Sequence, residues 1–350
     1  MDEKKNILAQ LPVTLLPWYR ENKRDLPWRQ DKDPYHIWLS EIMLQQTRVE
    51  AVKGYYNRFL QALPTVEALA KADDELLYKL WEGLGYYSRV RNLKKAAQQI
   101  AEQYHGEFPR TYAQILALPG VGEYTAGAVG SIAFGLKTPA VDGNVLRVVS
   151  RLTDDDTPID RPAYKSFVRS ALETVYPAEA GDFTQALMEL GATVCGPNRE
   201  PACDICPCRT FCMGRCSGRA PQLPVKSPKK QRRQEDMTVF ILRCGDRYAL
   251  QKRPEEGLLA GLWQFPNIPE KRELHDAILK MEAMGLKPAN IMRQVEKKHI
   301  FTHVQWNMSG IFAEVHECAE GFDWMTAQEI NEHAALPTAF RQFWEETGYV

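Results

Sequence analysis

"ILALPGVGEYTAGAVGSIAF", Ile115 to Phe134, sets a tight turn, Pro119-Gly120-Val121-Gly122, between two runs with apolar residues at helical spacing. Two glycines let the backbone approach a partner closely. Unpaired N–H groups of Gly120, Val121 and Gly122 would then stand at the start of the next helix, where donors and the helix dipole suit a phosphate. An ordinary helix–turn–helix connection reads the same way. A second stretch bears on the choice. "CGPNREPACDICPCRTFC", Cys195 to Cys212, places five of the eight cysteines within eighteen residues, and Cys216 follows.

With 350 residues the chain has room for about two domains, and 44% hydrophobic residues can fill real cores. The start, "MDEKKNILAQLPVTLLPWYRENKRDLPW", is charged and reads as an amphipathic helix, without the apolar centre and cleavage site of a secretory signal. No apolar run approaches the ~20 residues needed to cross a bilayer. A cytoplasmic protein with no membrane partner is expected. In that reducing compartment, crowded cysteines read as metal ligands rather than disulfides. A net charge of −1 neither demands nor excludes nucleic acid, because a local basic face can bind phosphates whatever the total.

Residues 1–218 read as a helical domain. "DELLYKLWEGLGYYSRVRNLKKAAQQIAEQY" carries Leu76, Leu77, Leu80, Trp81 and Leu84 at helical spacing, and "PTVEALAKAD" and "GEFPRTY" supply turns. "APQLPVKSPKKQRRQ" then brings three prolines and five basic residues with no acid or aromatic, so residues 219–235 read as an exposed linker. In 236–350, "MTVFILRCGDRYALQKR" is a strand, a Gly-Asp turn and a strand. "HIFTHVQWNMSGIFAEV" reads as another strand pair, with Ile300, Thr302, Val304, Trp306 and Met308 on one parity. Helical segments follow both, giving a small α+β domain.

Together, the hairpin, the Asp-bearing "VDGNVLRVVSRL" and the spaced cysteines resemble the base-excision DNA glycosylases related to endonuclease III. "SEIMLQQTRVE", "WEGLGYYSRVRNL", "VDGNVLRV" and "GLLAGLWQFP" are similar, within that group, to the MutY family of adenine DNA glycosylases, from about Trp18 to Trp344. The resemblance implies a mostly α helix-hairpin-helix glycosylase domain with a [4Fe–4S] module, followed by a Nudix-like α+β domain. It implies a monomer acting on double-stranded DNA that holds A:8-oxoguanine or A:G mispairs.

Cleaving a base from deoxyribose through an oxocarbenium-like state asks for one acid and one stabilising anion. The resemblance gives Glu41 the general-acid position, protonating adenine at N7, which needs an apolar pocket to keep its proton near neutral pH. On the residues alone a solvated helix-face residue is the plainer reading. Asp142 takes the second carboxylate position, facing the sugar, with Asn144 orienting it; by itself D-G-N is ordinary turn chemistry. Relatives that also cut the strand tend to carry a Schiff-base lysine where Tyr124 stands, so a monofunctional enzyme is expected. Adenine must leave the duplex to be reached. Trp28, Arg29 and Leu44 match pocket positions, and Gln46 and Tyr86 match intercalating ones; singly, Trp28 and Tyr86 read as core aromatics.

For the cysteines, the family implies that Cys195, Cys203, Cys206 and Cys212 hold a [4Fe–4S] cluster, in the pattern C-x7-C-x2-C-x5-C. The first gap is one residue longer than the family's usual six. Zinc is the competing ligand, although only one C-x2-C pair is present. Cys208 and Cys216 are spare, and Arg199 and Arg209 would meet phosphates. In the C-terminal domain, "GLWQFPNIPEKRELHDAILKMEAMG" lacks the paired acids of a working Nudix hydrolase, which favours recognition. "FTHVQW" matches a loop usually reading Phe-Ser-His, so Phe301, Thr302 and His303 would contact 8-oxoguanine. An edge-strand aromatic and a surface histidine are the plainer reading. Rival functions are a thymine- or uracil-excising glycosylase, a non-catalytic damage binder or iron–sulfur redox sensor, and a nucleotide-pool Nudix hydrolase.

Overall fold

The Pro119-Gly120 dipeptide fixes the hairpin. Val121 N–H donates to Leu118 O at 3.1 Å and Gly120 takes φ +73°, so Pro119 and Gly120 are the central pair of a turn that needs a left-handed residue second. A Cβ on Gly120 would stand 2.5 Å from Asn92 Cβ, so this position is closed to side chains on two counts. Helix Tyr112–Leu116 enters the turn, capped by Thr111, and helix Glu123–Phe134 leaves it. The second helix is buried from Thr125 to Ile132, which its small apolar residues permit.

The protein is described by a computed structural model covering residues 2–197, 200–228 and 231–349. It forms two units: Met1–Lys71 with Arg91–Lys229, and Ala72–Val90 with Lys230–Val350. All strands among the described residues lie in the second. In the first, helix Ala180–Thr193 packs against helices Leu11–Asn22, Glu123–Phe134 and Gly143–Leu152. Leu11, Leu15, Val145, Val149, Phe183 and Leu187 are among the residues of the core that results. No helix among the described residues is long and apolar enough to cross a membrane.

The second unit is built on a mixed sheet of β1 (Arg233–Cys244), β2 (Arg247–Lys252), β3 (Trp263–Gln264), β4 (Asn267–Ile268), β5 (Pro288–Ile300), β6 (Val304–Val315) and β7 (Asp323–Thr326). Its order is β3-β2-β1-β6-β5, with β4 on β1, β7 on β2, and β1 parallel to β6. Alternation along β1 feeds two cores. Met237, Val239 and Ile241 face Phe340, Phe343 and Trp344, while Phe240 and Leu242 face Ala277 and Met281. Residues 72–90, read from sequence as part of the helical domain, belong with this unit. Glu82 accepts from Leu336 N–H (3.2 Å) and pairs with Arg341 (3.0 Å), and Lys252 pairs with Glu75 (2.8 Å).

Two expectations need correction. Thr302 is not on a strand: residues 301–303 are the turn joining β5 to β6, with Phe301 N–H on Val304 O at 2.8 Å, and Ile300 is exposed. The buried parity begins at Val304 because the three-residue loop resets it. Residues 219–235 are not uniformly exposed either. Ala220 and Leu223 are buried, Ile159 N–H bonds Val225 O at 3.1 Å, and β1 already runs from Arg233.

Candidate active site

Glu41 sits near the end of helix Pro34–Leu44 and is 5% exposed. Tyr124, from the first turn of the post-hairpin helix, donates its hydroxyl to Glu41 Oε2 at 2.5 Å. Burial pushes the Glu41 carboxyl up to about 7, more than the Tyr124 hydrogen bond pulls it down; Asp142 adds to the rise and Arg29 opposes it. The same burial raises Tyr124 well above its ordinary range.

Asp142 is the N-cap of helix Gly143–Leu152. Oδ1 accepts from Val145 N–H at 2.8 Å and Oδ2 from Asn144 Nδ2 at 2.7 Å. Its plain role as a helix cap and its place beside Asn144 therefore coexist. Burial raises its carboxyl as well, against those hydrogen bonds and the charge of Arg147. The two acids differ in their partners: both Asp142 oxygens receive N–H donors that favour the anion, whereas Glu41 has one phenol.

Both line one cavity of about 810 Å³ together with Trp28, Arg29, Leu44, Tyr124 and Asn144. These sequence-predicted residues are thus brought together. Trp28 is fixed edge-on to Tyr56, with centroids 5.5 Å apart. Two further residues were missed. Glu189, fully buried, takes Arg24 Nε at 2.6 Å and Arg29 Nη2 at 2.7 Å, which sets Arg29 at the cavity wall. Burial would raise Glu189, yet the two guanidiniums hold it below its ordinary value. A lone acid in the apolar run "ALMELG" was the available signal. Arg147, also missed, donates to Asn144 Oδ1, Gly191 O and Cys195 O, each at 2.8 Å.

At the hairpin, Gly122 is the N-cap of the second helix, so no side chain caps that helix start. Val121 is a correction: its amide closes the turn and its side chain is buried, so it cannot serve a phosphate while the turn stands. Gln46 (φ +58°) and Tyr86 (φ +49°) are both exposed and both left-handed, a conformation that L residues hold at a cost of order 1–3 kcal/mol. Tyr86 OH lies 3.2 Å from Thr302 Oγ1. Phe301 packs edge-on between His299 (4.5 Å) and Trp306 (4.8 Å), while Thr302 and His303 are exposed.

Cys195, Cys203, Cys206 and Cys212 line one small cavity with Arg151, Arg209 and Arg215. Cys208 is buried outside that lining, its free thiol donating a hydrogen bond to the Cys206 sulfur, and Cys216 is exposed. Arg151 reaches the Cys195 sulfur at 3.2 Å. Among the described residues no group of three or more ligands is close enough to hold a single metal ion. Arg199 lies outside the described residues.

Residues 39–169 match the HhH-GPD superfamily base excision DNA repair protein model, and 238–346 match a NUDIX domain. The adenine DNA glycosylase of Homo sapiens is 36% identical over 396 residues, covering 94% of this chain and 72% of that protein. The chain belongs to the adenine DNA glycosylase family. Among solved structures, a thermostable thymine-DNA glycosylase is 31% identical with TM-score 0.54, covering 62% of this chain and 98% of its own. A trapped endonuclease III–DNA covalent intermediate shares the fold, at 24% identity and TM-score 0.52, over 61% of this chain and 98% of its own. Each structural match covers under two thirds of this adenine DNA glycosylase family member, whereas the human relative's alignment takes in nearly all of it.

Proposed function

We propose that the protein hydrolyses the N-glycosidic bond of adenine mispaired with 8-oxoguanine or guanine in DNA and leaves an abasic site. The carrying observation is the cavity in which a buried carboxylic acid, Glu41, and an anion-solvating carboxylate site, Asp142, stand on the walls with Trp28 and Arg29. Extruded adenine enters that cavity. Glu41, whose carboxyl burial lifts to about 7 so that a large fraction stays protonated near neutral pH, gives its proton to N7, and the electrons of the breaking C1′–N9 bond pass into the leaving base. Asp142, whose anion the Asn144 and Val145 N–H groups favour against the burial that raises its carboxyl, faces the cationic sugar that water then captures. Tyr124 has no amine for a Schiff base and is already committed to Glu41, which supports a monofunctional enzyme. Glu41→Gln should lose excision by a factor of about 10²–10⁴ while retaining duplex binding; normal single-turnover rates in that variant would refute the assignment.

Phe301, Thr302 and His303 are proposed to read the opposite base. The exposed Thr302 hydroxyl can accept from the N7–H that 8-oxoguanine has and guanine lacks. Trp28, Arg29 and Leu44 are proposed to hold the adenine, and Gln46 and Tyr86 to enter the space it leaves. The NUDIX match at 238–346, together with 36% identity to the human adenine DNA glycosylase over 94% of this chain, favours this over thymine or uracil excision.

A [4Fe–4S] cluster on Cys195, Cys203, Cys206 and Cys212 is proposed as well, and the donor set fits. The four thiols line one cavity, and only one C-x2-C pair is present where zinc modules usually carry two. Among the described residues no carboxylate lies within ion-pair distance of the buried Arg151, which reaches the Cys195 sulfur at 3.2 Å, and an anionic thiolate there would supply the opposite charge. When bound, such a cluster supplies a fixed anionic anchor for the loop and takes no part in hydrolysis.

A further inference from the structure

Asp142 and Asn144 line two cavities. One is the cavity shared with Glu41; the other is an open groove walled by Arg147, Arg151, Asp160, Lys165, and the stretch Pro221–Pro224 with Lys226. That segment is stitched down at three points. Arg151 Nε bonds Leu223 O at 2.8 Å, Ile159 N–H bonds Val225 O at 3.1 Å, and Ser227 N–H bonds Asp160 Oδ1 at 2.9 Å. A segment serving only as a tether would have no reason to be so held.

The groove's charges are four cations, Arg147, Arg151, Lys165 and Lys226, against Asp142 and Asp160. Arg147 and Arg151 are buried and spend their donors on carbonyls, the Asn144 amide and the Cys195 sulfur. Among the described residues neither Lys165 nor Lys226 has a carboxylate within ion-pair distance, although the Lys165 charge is felt by Asp160. Asp160 is held below the usual carboxylate range by its Ser227 hydrogen bonds, so it stays an anion on one rim. With the base in the first cavity and the sugar at Asp142, as proposed above, the groove that Asp142 and Asn144 also line is open to the phosphodiester chain on that sugar.

We infer that the groove beyond Asp142 holds the strand carrying the extruded nucleotide, that Pro221–Lys226 is a wall of this DNA-binding surface, and that Lys165 and Lys226 each neutralise a backbone phosphate. This rests on the proposed glycosylase reading. Each phosphate contact releases counterions, so log K falls with log[salt] with a slope of about 0.9 per contact.

The test is affinity of the full chain for a duplex with a tetrahydrofuran abasic analogue opposite 8-oxoguanine, from 50 to 200 mM KCl. Lys165→Gln and Lys226→Gln should each lower the slope by about 0.9, so that affinity falls about three- to fourfold less across that range than in the parent. Lys226→Arg should restore the slope, and thermal melting should stay unchanged in all three variants. A parent that binds while both glutamine variants keep its slope would overturn the groove assignment alone. A parent that fails to bind the lesion duplex would overturn the glycosylase reading and the groove with it.

Discussion

Glu41 and Asp142 carry the same chemical group, and their neighbours give them different work. Burial lifts both, but only Asp142 is surrounded by N–H donors, and only Glu41 rests on a phenol. Excision should therefore fall as pH rises through about 7, where Glu41 loses its proton, and fall again on the acid side as Asp142 gains one. Tyr124→Phe removes the bond that lowers Glu41, so the alkaline limb of the single-turnover rate should move to higher pH. A limb that stays in place would separate Tyr124 from the titration. The same shift appears in stability. The folded value, about 7, lies above the ordinary 4.5, so the favourable contribution is complete below pH 4.5 and lost as pH passes 7. Its size is about 3 kcal/mol at 1.36 kcal/mol per pH unit. Urea melts of the parent should lose that much relative to Glu41→Gln between these pH values. The acid and its partner were legible as types in "SEIMLQQT" and "VDGN"; their shared cavity was not, because 101 positions separate them.

Elements explain which parts of the site the sequence disclosed. The hairpin was readable because Pro at one turn position and Gly at the next dictate a local geometry, and the Asp142 cap was readable for the same reason. The Val121 amide was misread because its donor is consumed inside that turn. The Arg24–Glu189–Arg29 triad escaped because it joins helix Ala180–Thr193 to a segment about 160 positions earlier, which no local pattern reports. Glu189→Ala would leave two guanidiniums without their buried anion. Denaturant midpoints should register a loss of about 3–5 kcal/mol, and adenine excision should weaken with Arg29 released. Gly191 marks the other contact of that helix. A Cβ there would come 2.7 Å from Asn144 Cβ, so Gly191→Ala should push Asn144 off Asp142 and cut the single-turnover rate more than duplex affinity. An unchanged rate would mean that the Asn144 position does not matter to the reaction.

Across the whole molecule, composition and texture were enough to separate a helical part from a sheet part. They could not reveal that residues 72–90 leave the helical unit to pack with the sheet, since the ties are single charges such as Glu82 to Arg341. One consequence is that Tyr86 and the 301–303 turn belong to the same unit, with their hydroxyls in contact. Thr302→Val keeps the shape and removes the hydroxyl, so preference for A:8-oxoguanine over A:G in binding should fall about five- to tenfold, the worth of one hydrogen bond of about 1 kcal/mol. The central claim, adenine excision by a monofunctional enzyme, is tested most directly by single-turnover reaction on a labelled duplex with adenine opposite 8-oxoguanine. Strand breaks are read with and without alkali, and adenine opposite thymine is the control. Breaks only after alkali, and only opposite the lesion, are the predicted result. Breaks without alkali, equal breakage opposite thymine, or none at all from fully folded protein would contradict it.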